Sequence, residues 1–180
     1  MANFKKPITI LVVFATIFIL VACQLDEHPG APAQGAVDWP TGLTTPIDSA
    51  TFSIAEHHLP GARREYRGGA HQGFDFFNGL SGRPLAADEP IVAIDDGEII
   101  RIDHDYHPFE QPQLAYYSQI ANNPGFVGQF ALDQLRGRQV WIRHKDGHVS
   151  RYAHLSEVHS ELQFGDTVEQ GQPIGLMGNS

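Results

Sequence analysis

From Pro46 onward, turn residues and short β-type runs alternate along the chain, and this pattern limits the fold more than any other feature. Ile91-Val92-Ala93-Ile94 is followed by Asp95-Asp96-Gly97 and then by Glu98-Ile99-Ile100-Arg101-Ile102, which predicts a hairpin. A second hairpin is predicted from Gln139 to Leu155. Asp146-Gly147 sits between two alternating runs there, and Asp-Gly suits a two-residue turn that needs positive φ at both positions. Such a loop would pair Trp141 with Tyr152 and Gln139 with His154, putting Tyr152 and His154 on one face of the strand. Gly165-Asp166-Thr167-Val168 and Gln172 to Gly178 read as two further short strands. The expected fold is mainly β, with antiparallel sheets in a compact, sandwich-like domain over 46–180. Residues 103–138 interrupt it as an insertion with two short helices, Gln113 to Ala121 and Gly128 to Leu135. Long insertions in compact domains often form lids or groove walls.

The N-terminus has a different character. Met1 to Lys6 holds two lysines and no acid, and Ile8 to Ala22 follows as 15 uncharged residues. That pattern is a signal segment over 1–22, shorter than the roughly 20 apolar residues of a membrane span. Cys23, the only cysteine, comes directly after it. Leu20-Val21-Ala22-Cys23 resembles the lipobox of bacterial lipoproteins, which implies lipidation of Cys23 and a membrane anchor that does not span the bilayer. By the same resemblance, Gln24 favours the outer membrane of a Gram-negative envelope, facing the periplasm. Residues 23–45 are rich in Pro, Gly and Ala and read as a flexible tether. Without the signal segment the chain carries 10 basic and 21 acidic residues, a formal balance of −11. That excludes nucleic acid as a natural partner, since nucleic acid selects basic faces.

The chemistry is concentrated in Tyr66 to Gly79, YRGGAHQGFDFFNG, where His71 and Asp75 stand four positions apart. Gly68, Gly69, Gly73 and Gly79 disfavour a helix, and Phe74, Phe76 and Phe77 favour a strand. In a straight strand the two α-carbons would be roughly 13 Å apart, too far for easy sharing of an ion held at about 2 Å by each ligand. A bend at Gly73 would remove that difficulty. By spacing alone, a hydrogen-bonded His and Asp and a metal-binding pair both remain open.

The order of the later pieces adds a resemblance. His71-Gln72-Gly73-Phe74-Asp75-Phe76, the Ile91 to Ile99 run, Val140 to His144 with its Asp-Gly turn, Tyr152-Ala153-His154-Leu155, and Gly165 to Gly175 together resemble the lysostaphin/LytM-type zinc endopeptidases of bacterial cell walls. The resemblance covers about Phe52 to Ser180, apart from the insertion. It implies one zinc ion held by His71 and Asp75, with a third ligand and a second catalytic histidine in a His-x-His segment expected beyond Ser180. It implies that His154 is catalytic without being a ligand, orienting water, stabilising the oxyanion or passing a proton. Tyr152 could add a hydrogen bond or pack, and His144 could approach the site, so both count as supporting candidates. His57, His58, His148 and His159 read as surface residues, and His104 and His107 as parts of a solvated loop. The implied substrate is peptidoglycan peptide. The alternative is a non-catalytic LytM-type regulator that activates a partner amidase. A lipoyl-type carrier lacks a suitable lysine site around Lys145, and no Gly-x-Ser-x-Gly elbow supports a serine hydrolase.

Overall fold

The computed structural model describes residues 40–64, 69–121 and 126–179, with only the backbone of Phe126 and Val127. The signal segment, Cys23, Gln24 and most of the tether therefore lie outside the described residues, as does Ser180. Described residues belong to the unit Pro40–Ser180. Thr44 N–H donates to Ile94 O at 3.0 Å and Gln170 Nε2–H to Gly42 O at 2.8 Å, so the chain is already fastened to this unit within the stretch read as tether.

All strand pairs are antiparallel, as the alternating runs predict. A short pair joins β1 (Arg63–Arg64) to β2 (Gly69–Ala70). Strands β3 (Pro90–Val92), β7 (Leu155–Val158) and β9 (Pro173–Met177) form one sheet in the order β3-β9-β7. Strands β4 (Gly97–Ile102), β5 (Val140–His144), β6 (Val149–Tyr152) and β8 (Thr167–Val168) form another in the order β6-β5-β4-β8. Both sheets contribute to one core, with Ile91, Val158 and Ile174 from the first and Ile99, Val140, Ile142 and Val168 from the second. Ile99, Ile142 and Ile174 are fully buried, worth about 1.5–3 kcal/mol each over exposure.

Two expectations about hairpins are corrected. Ile91 to Ile102 is no hairpin: β3 pairs with β9 and β4 with β5 and β8. Asp95-Asp96-Gly97 instead carries the chain from one sheet to the other. Ala93 N–H donates to Gln172 O and Gly171 N–H to Ala93 O, fixing the crossing from the β8–β9 connection. At Gly97, a Cβ would lie 2.6 Å from Arg143 O, so close approach to β5 requires glycine.

The β5–β6 hairpin exists, one residue out of the expected register. Val140 faces Tyr152, and Trp141 faces Arg151. His144 N–H donates to His148 O and Gly147 N–H to His144 O, so the loop is longer than Asp146-Gly147; of that pair, only Gly147 has positive φ. The shift sends Tyr152 inward beside Val140 and Ile142.

The insertion between β4 and β5 holds α1 (Gln111–Ile120) and α2 (Phe126–Leu135). Glu110 and Gln113 close a capping box at the start of α1, and Pro112 sits in its first turn, where no backbone donor is needed. Ala121, Ala131 and Leu132 give the helix pair a small core of its own. Its two ends are clipped together at the sheet: Asp103 N–H donates to Gln139 O, and Gln139 N–H to Asp103 Oδ2, both at 3.0 Å. The buried Gln139 side chain is satisfied by Asp133 O and by Trp141 Nε1–H.

Candidate metal centre and its surroundings

Past β2 the chain leaves the two-stranded pair, and 71–77 is irregular rather than the kinked strand expected. The backbone does bend at Gly73. Gly73 has no positive φ, and a Cβ there would meet nothing within 4 Å, so the bend does not depend on glycine. Two backbone bonds pin the start of this segment, His71 N–H to Ala62 O at 2.7 Å and Gly61 N–H to His71 O at 2.8 Å. At its end, Phe77 N–H donates to the buried Ser81 hydroxyl at 3.0 Å.

The bend brings His71 Nε2 to 3.0 Å from Asp75 Oδ1, with the two side chains only 10% and 30% exposed. Arg64 holds the other carboxylate oxygen, with Nη2 at 3.4 Å from Asp75 Oδ2. Arg64 is itself anchored, since its Nη1 donates to His57 O at 2.6 Å. His71 Nδ1 is buried and has no hydrogen-bond partner among the described residues. The donor set, imidazole nitrogen and carboxylate oxygen, is one that zinc takes. A separation of 3.0 Å lets both atoms reach a single ion at about 2 Å. The pair therefore fits as two ligands of one ion; among the described residues no group of three His, Cys, Asp or Glu gathers around a point. The rings of Phe52 and Phe74 meet at a tilt of 36°, centroids 4.4 Å apart, and both residues are exposed.

His154 follows the end of β6 rather than lying in it. Its φ of 58° is left-handed, uncommon for a residue with a side chain, and its side chain is exposed while that of Tyr152 is buried. The two do not share a strand face. His154 N–H donates to Arg136 O at 2.9 Å, just beyond α2. The Arg136 guanidinium in turn donates from Nη2 to Gln72 Oε1, next to His71. Arg136 thus touches both parts of the site.

Tyr152 and His144 belong to a single internal network. Ile94 N–H donates to Tyr152 Oη at 2.8 Å; Ser150 Oγ lies 3.2 Å from that oxygen and 2.9 Å from His144 Nε2; His144 Nδ1 lies 2.9 Å from Asp96 O. A carbonyl only accepts, so Nδ1 carries the proton, and in the neutral ring Nε2 accepts from the Ser150 hydroxyl. Both nitrogens of His144 are occupied, leaving no lone pair for the 71–75 pair. Burial raises the Tyr152 pKa against the lowering effect of its hydrogen bonds with Ser150 and Ile94. Other histidines are also engaged: His58 Nδ1 with Ser53 Oγ at 2.8 Å, His104 Nε2 with Leu162 O at 2.7 Å, and His148 with Asp146 at 2.9 Å. His104 is therefore not in a freely solvated loop.

Spacing signalled His71 and Asp75 in the sequence. Arg64, Gln72 and Arg136 carried no such signal, because each acts through a contact made only in the fold.

Residues 115–180 match the family model described as Peptidase family M23. That stretch contains His144, Tyr152 and His154, and not the 71–75 pair. A 60-residue part of the chain is 33% identical to the peptidoglycan DD-endopeptidase ShyC of Vibrio cholerae; it is 33% of this chain and 13% of that protein. Among solved structures, a zinc-containing peptidase from Vibrio cholerae is similar at 20% identity and TM-score 0.47, over 76% of this chain and 31% of that one. The catalytic domain of lysostaphin from Staphylococcus simulans is similar at 25% identity and TM-score 0.40, over 64% and 61%.

Proposed function

From the premise that residues 115–180 belong to a Peptidase family M23 domain, we propose that this chain acts as a zinc-dependent endopeptidase on peptide bonds in peptidoglycan stems or cross-links. The observation that carries the reading is the 3.0 Å approach of His71 Nε2 to Asp75 Oδ1, in a segment that the M23 match does not include. A zinc ion bound there supplies Lewis-acid activation of water and of a carbonyl group. His71 and Asp75 would hold it. Arg64 keeps the Asp75 carboxylate turned so that Oδ1 faces the imidazole, by occupying Oδ2. His154 is exposed and lies outside the strand; its ring would accept a proton from water or give one to the leaving amine. A lipid on Cys23 would keep the domain at a membrane surface within the cell envelope, with the peptidoglycan as its neighbour.

The test is release of soluble peptides from purified sacculi. Release should stop with a chelator, return with zinc, and fall by at least about 100-fold in His71→Ala and Asp75→Ala. Full activity in either variant would refute the assignment. No hydrolysis by the wild type, together with stimulated cleavage by an added amidase, would favour a regulator.

A further inference from the structure

The notable feature of the insertion is where it ends. Arg136 lies immediately after α2, between two segments that are more than 80 residues apart in the sequence. Its carbonyl receives the His154 N–H at 2.9 Å, and two residues on, Arg138 O receives the Leu155 N–H at 3.1 Å. Its guanidinium reaches the opposite way, donating to Gln72 Oε1. The side chain is 15% exposed, and its Nη1 is braced by Asp133 Oδ1 at 3.6 Å. Asp133 is in turn fixed to β4, with its oxygens 2.8 and 2.9 Å from Arg101 Nη1. One side chain and its own backbone thus connect the metal pair, His154 and the rigid sheet.

We infer that Arg136 is a positioning residue that sets the spacing between the His71–Asp75 pair and His154, making the insertion a structural wall of the site. The inference rests on the peptidase reading above. Its physical basis is that the two segments share no strand, so a side chain that bridges them helps to set their separation. Displacement of a reacting group by about 1 Å costs on the order of 100-fold in rate. A guanidinium can hold Asp133 and Gln72 at once with its planar fork, which a lysine ammonium cannot reproduce fully.

A double-mutant cycle tests it, with Arg136→Met, Gln72→Leu and the pair together, and Arg136→Lys as partial rescue. The readouts are kcat and KM on peptidoglycan peptides, zinc affinity by chelator competition, and melting temperature. Each single variant should lower kcat about 10- to 100-fold with KM within about twofold, and the double variant should be no worse than the weaker single. Arg136→Lys should recover part of the loss. A purely structural role would instead lower melting temperature and leave kcat per folded molecule unchanged. Wild-type kcat in either single variant, or multiplying losses in the double, would overturn the inference. Should the wild type cleave nothing, the peptidase reading fails on its own. The strut is then judged by the imidazole NMR signals of His71 and His154 in the metal-free protein: movement of both in Arg136→Met supports it, and unmoved signals overturn it.

Discussion

Arg64 meets Asp75 across eleven residues, and its effect on that carboxylate is the most local prediction of the account. Partners of metal-ligating carboxylates typically contribute 10- to 100-fold in affinity. Arg64→Gln should therefore weaken zinc binding about tenfold in a chelator competition while leaving the fold intact. Unchanged affinity would mean that Asp75 is oriented by the backbone alone. Tyr152 makes a different kind of contribution. Tyr152→Phe removes the acceptor for Ile94 N–H and should cost about 1–2 kcal/mol in urea unfolding. Burial raises the pKa of this phenol in the folded state, so the fold binds its proton more tightly than the unfolded chain does. That contribution is whole below the unfolded value of about 10 and is lost as pH rises from there through the folded value. Wild-type stability should fall above pH ~10, and less steeply in Tyr152→Phe. His71 and Asp75 were legible in the sequence because their partnership is local, decided within five residues. Arg64 was not, since nothing in its neighbourhood marks it apart from Arg63; the β1–β2 pairing selects it.

Elements show where reading by pattern fails. The strands were legible as runs, yet which strand pairs with which was not. Asp95-Asp96-Gly97 carries turn chemistry whether the chain folds back or crosses between sheets, and the difference lies in contacts from Gln172 and Gly171, more than 70 residues away. The β5–β6 register was misjudged because Asp146-Gly147 suggested a two-residue loop, whereas backbone bonds enclose Lys145 to His148. A one-residue slip exchanges the two faces of a strand, and here it turns Tyr152 into the core; His154 parts from Tyr152 because β6 ends there and the chain turns left-handed. The two helices of the insertion were legible in the sequence, although each starts two residues earlier than read, at Gln111 and Phe126, and their bond to the site was not legible. Gly97 tests the crossing: Gly97→Ala would place a methyl 2.5 Å from Ile142 Cγ2 and 2.6 Å from Arg143 O. It should cost about 1–3 kcal/mol, read as a lower melting temperature. A neutral result would show that β4 and β5 can separate without loss.

Across the described residues two sheets share one core, and the proposed site draws on the 71–75 bend, the 136–138 segment and the left-handed turn at His154. The acidic balance of the chain is legible at once, and it leaves the substrate to be named by the site. The central claim is that His71 and Asp75 grip one divalent ion. Zinc content after purification and dialysis, measured for the wild type, His71→Ala and Asp75→Ala, tests it most directly. Close to one zinc per chain is expected in the wild type and near none in either variant, all three with the same folded spectrum. Equal zinc in all three proteins would contradict it.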